Sequence, residues 1–323
     1  MKYNLINFPV YYDRDKYQTA IDKAVEIISG EKSVKTIYNF GKIRNPGISD
    51  ADILVVFEDN QSCNLNLLAQ IGSNNRYYFT HTQLGMSESM LQQIYKYQLH
   101  VSLDLIYGQA VSFHKVNHTD EERLLLQKQI ALEYMVNACL KNYRIRYDGT
   151  IKVRSLLLEA FAIRHDLKWL GITSGKLFDL IEQVVIWRNT WFENKPSNNE
   201  IVNWFENYCV ELEESLKNIF STYQFFIPKE SLRYRDARIL QSQKFYVSPL
   251  QFPSFIYKFL PVLPQKFIKK KVNMYNMYIP CKVAEPESFL AQRFSFLKEC
   301  DSYNKKQLPH FYPFTTVMSI LLQ

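Results

Sequence analysis

Residues 13–29 place Ala20, Ile21, Ala24, Val25, Ile27 and Ile28 close to the spacing of one helix face, and Gly30 follows as a stop signal. The next run, Val34 to Phe40, is β-branched and aromatic and predicts a strand that Gly41 ends. Residues 42–49 contain Asn45-Pro46-Gly47, a turn signal. Ile53 to Phe57 is a short unbroken apolar run, the pattern of a strand buried on both faces. Residues 76–81 are expected as a further strand and 86–97 as a helix. Val101 to Tyr107 is expected as another strand, closed by Gly108. The first third of the chain therefore reads as α/β.

The period changes at Asp120. Residues 120–146, 151–170, 177–194 and 198–221 all carry helical spacing, and Lys195-Pro196-Ser197-Asn198-Asn199 is a loop. Thr119 with Glu122 three residues later is the signature of a capping box. Beyond Pro228 the pattern loosens, and most of the 12 Pro lie between 249 and 313 among aromatic residues. These shifts divide the chain into an α/β region (1–117), a helical bundle (118–222) and a Pro-rich, aromatic C-terminal region (223–323). The class is α+β, or mixed, with no internal repeat.

Composition narrows the class further. With 323 residues, 47% hydrophobic and 22% charged, the chain is long enough for a substantial core and is neither disordered nor collagen-like. The five Cys are scattered without a CxxC pair, which reads as reduced thiols. No stretch approaches a spanning apolar segment, and the first ten residues lack the apolar core of a signal peptide, so a cytoplasmic location is expected. The net charge of +7 comes entirely from the last third, since the first region is neutral and the helical region slightly acidic. Such asymmetry points to an anionic partner.

Three carboxylates carry the candidate chemistry. Asp50 and Asp52 are spaced i,i+2 at the entry to an apolar strand, where that spacing puts both side chains on one face. Two carboxylates so close repel unless a hard cation neutralises them, and Mg²⁺ favours one or two carboxylates plus substrate phosphates. Asp104 sits within the apolar strand 101–107, where a lone carboxylate is costly to bury. If its strand lies beside that of Asp52, the three converge on one metal site.

The order Gly41-Lys42, turn, Asp50-Ala51-Asp52, apolar strand, later Asp104 resembles the nucleotidyltransferase fold of the DNA polymerase beta superfamily. The resemblance covers roughly residues 13–108, and a helical domain following the core is common in that family. It implies a mixed-sheet core in which Asp50, Asp52 and Asp104 hold two Mg²⁺ ions, with Mn²⁺ as a substitute, and Asp104 acts as base. It further implies that Gly41, Lys42 and Arg44 meet the phosphates of an NTP, from which an NMP passes to an acceptor hydroxyl or phosphate with release of pyrophosphate. Lys42 stands where the family has Ser. It can act as a point charge for phosphate, or it can mark a protein of the same fold that binds nucleotide without turnover.

Other motifs point elsewhere or nowhere. There is no P-loop, no Gly-x-Ser-x-Gly and no His/Cys cluster of zinc-ligand spacing. Lys152, Arg154, Arg164, His165 and Lys168 make the helix 151–170 basic, which suits either a cleft wall or a solvated face. The stretch 229–271 holds ten Lys/Arg against two acids, interleaved with Phe252, Phe255, Tyr257, Phe259 and Phe267. That composition suits peripheral contact with an anionic membrane surface, as in a component docked on a glycan or lipid pathway. Nucleic acid is a less favoured partner, and a structural arm is the plain alternative.

Overall fold

The computed structural model describes residues 3–99, 101–229, 233–234, 237–249 and 275–317. In chain order the elements begin with β1 (Asn4–Ile6), α1 (Arg14–Ser29), β2 (Val34–Phe40), β3 (Asp52–Phe57), α2 (Leu67–Gln70), β4 (Leu84–Ser87), α3 (Glu88–Gln92) and β5 (Leu103–Gly108). The helical part follows as α4 (Asp120–Asp148), β6 (Thr150–Lys152), α5 (Val153–Trp169), α6 (Lys176–Thr190) and α7 (Asn198–Thr222). The remainder is β7 (Phe225–Ile227), β8 (Arg233–Tyr234), β9 (Ala237–Gln241), β10 (Tyr246–Pro249), β11 (Tyr275–Ile279), β12 (Cys281–Val283), α8 (Phe289–Gln307) and β13 (Tyr312–Pro313). The class is mixed α and β.

The sheet that positions the site runs β13-β4-β3-β2-β5. Its centre is β3, paired antiparallel with β2 and parallel with β4. The unbroken apolar run of β3 has the reason the sequence suggested. Ile53, Val55 and Phe57 pack on one face with Ala20, Ala24 and Ile28 of α1, while Leu54 and Val56 pack on the other with Met86, Leu91 and Phe314. A strand covered on both faces has no polar side to alternate with.

The helices hold close to their expected bounds. Thr119 and Glu122 form the capping box at the start of α4: Glu122 N–H donates to Thr119 Oγ1 at 3.1 Å and Thr119 N–H donates to Glu122 Oε2 at 3.0 Å. Two expectations need correction. Residues 76–81 are not a strand: Arg76–Tyr78 make one 3₁₀ turn, with Tyr78 packed edge-on against Tyr12 and Tyr17 and Tyr77 tilted against Tyr12. Packing of consecutive rings, not alternation of faces, accounts for those tyrosines. Residues 86–97 are not one helix either, because α3 ends at Gln92 and only a 3₁₀ turn follows at Ile94–Lys96.

The described residues after 222 divide between the two parts of the molecule. Phe225, Ala237, Tyr275, Met277 and Ile279 join the core of the helical bundle. By contrast, Leu308 and Phe311 join the face of the first sheet that packs on α1, Phe296, Cys300 and Phe314 join the other face, and β13 extends the sheet by pairing with β4. Arg293 of α8 locks the arrangement. It is fully buried, donates to both carboxylate oxygens of Glu133 on α4 at 2.7 and 3.0 Å, and donates through Nε to the Tyr97 carbonyl at 3.1 Å. Much of the basic stretch 229–271, including Phe252, Phe255, Phe267 and Lys269 to Lys271, lies outside the described residues. Among the described residues no helix is long and apolar enough to cross a membrane.

Candidate metal and nucleotide site

Asp52 is the first residue of β3, and Asp50 lies two residues earlier, at the end of the loop from Lys42. That loop is held from three sides. Gly47 adopts φ +84°, and a Cβ there would stand 2.3 Å from the Val10 carbonyl oxygen, so the close approach requires glycine. Tyr17 accepts the Gly47 N–H at 2.9 Å and donates to the Ser49 carbonyl at 2.7 Å, and Tyr77 donates to the Gly47 carbonyl at 2.6 Å. Arg154 of α5, buried, donates to the carbonyls of Ile48, Tyr77 and Ser49 at 2.9, 2.6 and 2.7 Å. Its guanidinium also stacks on the Tyr77 ring at 4.1 Å. A planar fork of donors suits several fixed carbonyls at once.

The segment before β4 is fastened to the start of β3. Ala51 N–H donates to the Tyr78 carbonyl at 2.8 Å, and Ile53 N–H donates to Gln83 Oε1 at 3.0 Å. Between these ties lie Thr80, whose hydroxyl donates to Asp50, and His81. The ligand atoms of Asp50, Asp52 and His81 all lie within 4.8 Å of one another.

His81 Nδ1 stands 2.7 Å from the Thr82 carbonyl oxygen. A carbonyl only accepts, so Nδ1 carries a proton and Nε2 is the nitrogen turned toward the acids. That Nε2 is 2.9 Å from the buried Asp52 Oδ1, so the imidazole and the carboxylate form an ion pair. Burial and the neighbouring Asp50 charge raise the Asp52 pKa, with His81 acting in the opposite direction. Burial alone would lower the His81 pKa, but the Asp52 carboxylate outweighs it and lifts the imidazole to about 9. Two acids and an imidazole whose ligand atoms lie within 4.8 Å of one another form a donor set that fits a divalent cation. Two carboxylates suit Mg²⁺, and an imidazole added to them suits Mn²⁺.

Asp50 and Asp52 open onto a cleft of about 200 Å³ that Gly41, Lys42 and Arg188 also line, with Leu158 and Phe161 of α5 opposite the sheet. Gly41 takes φ +82° and turns the chain sharply at the end of β2. Arg188, on α6, is buried, donates to the Leu157 carbonyl at 3.2 Å and lies 4.2 Å from the Phe161 ring centroid. Burial lowers its pKa to about 10, with Asp50 pulling the other way, so its charge persists at neutral pH. Arg44 does not line the cleft. It stands close enough to His165 and Arg188 for its charge to help lower both.

Asp104 does not join the group. Its strand β5 is separated from β3 by β2, and the register sets Asp104 opposite Asn39 whereas Asp52 is opposite Phe40. One residue of offset places the two carboxylates on opposite faces of the pleat. Asp104 is exposed and incurs no burial cost. His81 and Arg188 are the site residues that sequence reasoning missed. Of the basic residues on α5, Arg154 turns inward, while Arg164 pairs with Glu182 at 2.6 Å on the surface.

No protein-family model matches the chain, and no curated protein is significantly similar to it.

Proposed function

We propose that the protein is a divalent-cation-dependent nucleotidyltransferase, moving a nucleoside monophosphate from an NTP to an acceptor hydroxyl or phosphate with release of pyrophosphate. The observation that carries this reading is the Asp50/Asp52 pair at the mouth of β3, facing a cleft with the Gly41-Lys42 turn on one wall and Arg188 on the other. The arrangement is the one that the resemblance to the DNA polymerase beta superfamily implies for the triphosphate end of a nucleotide. Asp50 and Asp52 would hold the cation, Mg²⁺ or Mn²⁺, with His81 as the third ligand. When bound, the cation supplies charge stabilisation to the attacking and leaving oxygens.

The chain's own groups do the rest. The Gly41 turn lets the backbone approach a phosphate closely. Lys42 offers an exposed ammonium where the family has a hydroxyl, and Arg188 supplies a fixed charge without a carboxylate ion-pair partner among the described residues. Arg154, Tyr17 and Tyr77 fix the loop that presents Asp50, and a cation held by His81 as well would displace the proton that its Nε2 shares with Asp52. The direct experiment is incubation with α-labelled NTPs, Mg²⁺ or Mn²⁺ and a panel of acceptors, with pyrophosphate release as readout. Cation-dependent release that Asp52→Asn abolishes is the expected result. The absence of release from every NTP would set the transferase reading aside.

A second reading has its own observation. With Asp104 on the other face of the sheet, the group at the cleft has a histidine in place of a third carboxylate. A protein of the same fold that binds NTP and cation without transfer fits that substitution. Tight cation-dependent NTP binding with no pyrophosphate formed would select it.

A further inference from the structure

Resting on the transferase reading, we propose that the acceptor is a small phosphate monoester, that Arg188 seats its phosphate, and that a phosphate oxygen is the nucleophile. Arg188 is only 5% exposed, yet it lines the acidic cleft. Its guanidinium is held in one orientation. Nε donates to Asn45 Oδ1 at 3.4 Å, Nη1 donates to the Leu157 carbonyl at 3.2 Å, and the group lies over the Phe161 ring, 4.2 Å from its centroid. Nη2 makes no hydrogen bond among the described residues, and it is not one of the unpaired polar atoms sealed from solvent. Arg44 and Arg154 repel this charge and Asp50 attracts it. Once Asp50 holds a cation, no acid lining the cleft is left to balance Arg188. A buried guanidinium with an open N–H edge calls for an anion, and its fork of donors matches phosphate.

The same cleft favours a phosphate over a hydroxyl as the attacking group. A hydroxyl acceptor must give its proton to a base within hydrogen-bond reach. Asp104, to which the family resemblance gives that role, faces the other side of the sheet. Among the described residues lining the cleft, Asp50 and Asp52 are the only carboxylates, and there is no histidine, cysteine or tyrosine. Both acids are committed to the cation, and His81 Nε2 is engaged by Asp52. A phosphate monoester loses its second proton at about pH 6, so at neutral pH it enters largely as the dianion and needs no base. One of its oxygens attacks the α-phosphorus of the NTP and forms a P–O–P bridge. The bond from the α-phosphorus to the oxygen it shares with the β-phosphorus breaks, and pyrophosphate leaves with that electron pair. No proton changes hands. The Gly41-Lys42 turn remains for the triphosphate, while Arg188 on the opposite wall takes the acceptor.

The test incubates the full chain with NTPs and Mn²⁺ and compares two phosphate acceptors, radiolabelled inorganic phosphate and ribose 5-phosphate, with two hydroxyl acceptors, ribose and glycerol. Labelled phosphate should appear in NDP, and ribose 5-phosphate should become joined to the NMP through a pyrophosphate bridge. Ribose and glycerol should give no pyrophosphate above the blank. Arg188→Gln should raise the KM for both phosphate acceptors at least tenfold and leave the KM for NTP within twofold. Arg188→Lys, which keeps the charge but loses the fork, carries the same expectation should the glutamine variant not fold. Pyrophosphate released with the hydroxyl acceptors alone, or an unchanged acceptor KM in the Arg188 variants, would overturn the proposal and leave the transferase reading standing. Equilibrium dialysis of labelled phosphate in EDTA separates the two failures. Binding to wild type that Arg188→Gln abolishes supports the anion seat even where no NTP is turned over, in which case the transferase reading is what fails; no binding at millimolar concentration would overturn the seat itself.

Discussion

Arg154 Nη2 donates to the carbonyl of Ser49 at 2.7 Å, one residue before the first acid of the candidate cation site. A residue of the helical part thereby fixes the backbone from which Asp50 projects. With the bonds to Ile48 and Tyr77, three carbonyls accept from this one guanidinium, and only that of Ser49 has a second donor among the described residues, Tyr17. Arg154→Met should leave the Ile48 and Tyr77 carbonyls without this donor and cost about 3 kcal/mol of stability. Cation affinity should fall with it. Arg154→Lys should rescue neither, since one ammonium cannot reproduce a planar fork. Urea melts and metal titrations of both variants check this, and a lysine variant that matches wild type would contradict the positioning role.

Asp52→Asn should fold normally, because burial and the Asp50 charge outweigh the help that His81 gives the carboxylate, and a neutral amide lowers that cost. It should lose cation binding, and turnover should drop by ~10²–10³, as expected for loss of an electrostatic stabiliser. Pyrophosphate release per unit of folded enzyme is the measurement. Wild-type rates in the Asn variant would remove Asp52 from the machinery.

His81→Gln separates the two cations. Imidazole favours Mn²⁺ over Mg²⁺ as a ligand. Affinity for Mn²⁺ should therefore fall more than affinity for Mg²⁺, and equal losses would show that His81 only orients Asp52.

Arg293 and Glu133 form an ion pair that is fully buried on both sides. Arg293→Met or Glu133→Leu alone strands a buried charge and should cost about 3–5 kcal/mol. The double variant should recover much of that loss, because an apolar pair carries no desolvation penalty. A double-mutant cycle in denaturant measures the difference, and additive losses would mean the pair is not coupled.

Asp166 on α5 is buried, and burial raises its pKa well above 3.8. Its proton is bound more tightly in the folded chain, so its contribution is fully present below the unfolded pKa and is lost as pH rises toward and through the folded one. Wild-type stability should therefore decline relative to Asp166→Asn from about pH 4 upward, with the variant the more stable at neutral pH. Parallel slopes of unfolding free energy against pH would contradict the assignment.

The parts of this molecule legible in the sequence are those where one physical requirement sets the pattern. Ile53 to Phe57 must be apolar throughout because both faces are covered, and Asp50 and Asp52 stand out as charges at the edge of that run. Helix α8 was hidden because Arg293 and Asn304 sit within its buried stripe. Asn304 is held there by bonds to the carbonyls of Gly85 and Phe311 at 3.0 and 3.1 Å, and such tertiary partners leave no mark on local periodicity. Asp104 was misplaced because pairing register cannot be read from spacing within a strand. A single residue of offset against Asn39 decides which face it takes. His81 was missed for a related reason: its Thr-His-Thr context carries no ligand spacing, and only the pairing of β4 beside β3 brings it to Asp52.

The measurement that tests the central claim most directly is calorimetric titration of a non-hydrolysable NTP into the protein, with and without Mn²⁺, in wild type and in the Asp50→Asn, Asp52→Asn double variant. The account predicts binding that requires the cation in wild type and is lost in the double variant, whose fold and Tm are retained. Binding of equal strength in both proteins, or no NTP binding in wild type with any divalent cation, would contradict it.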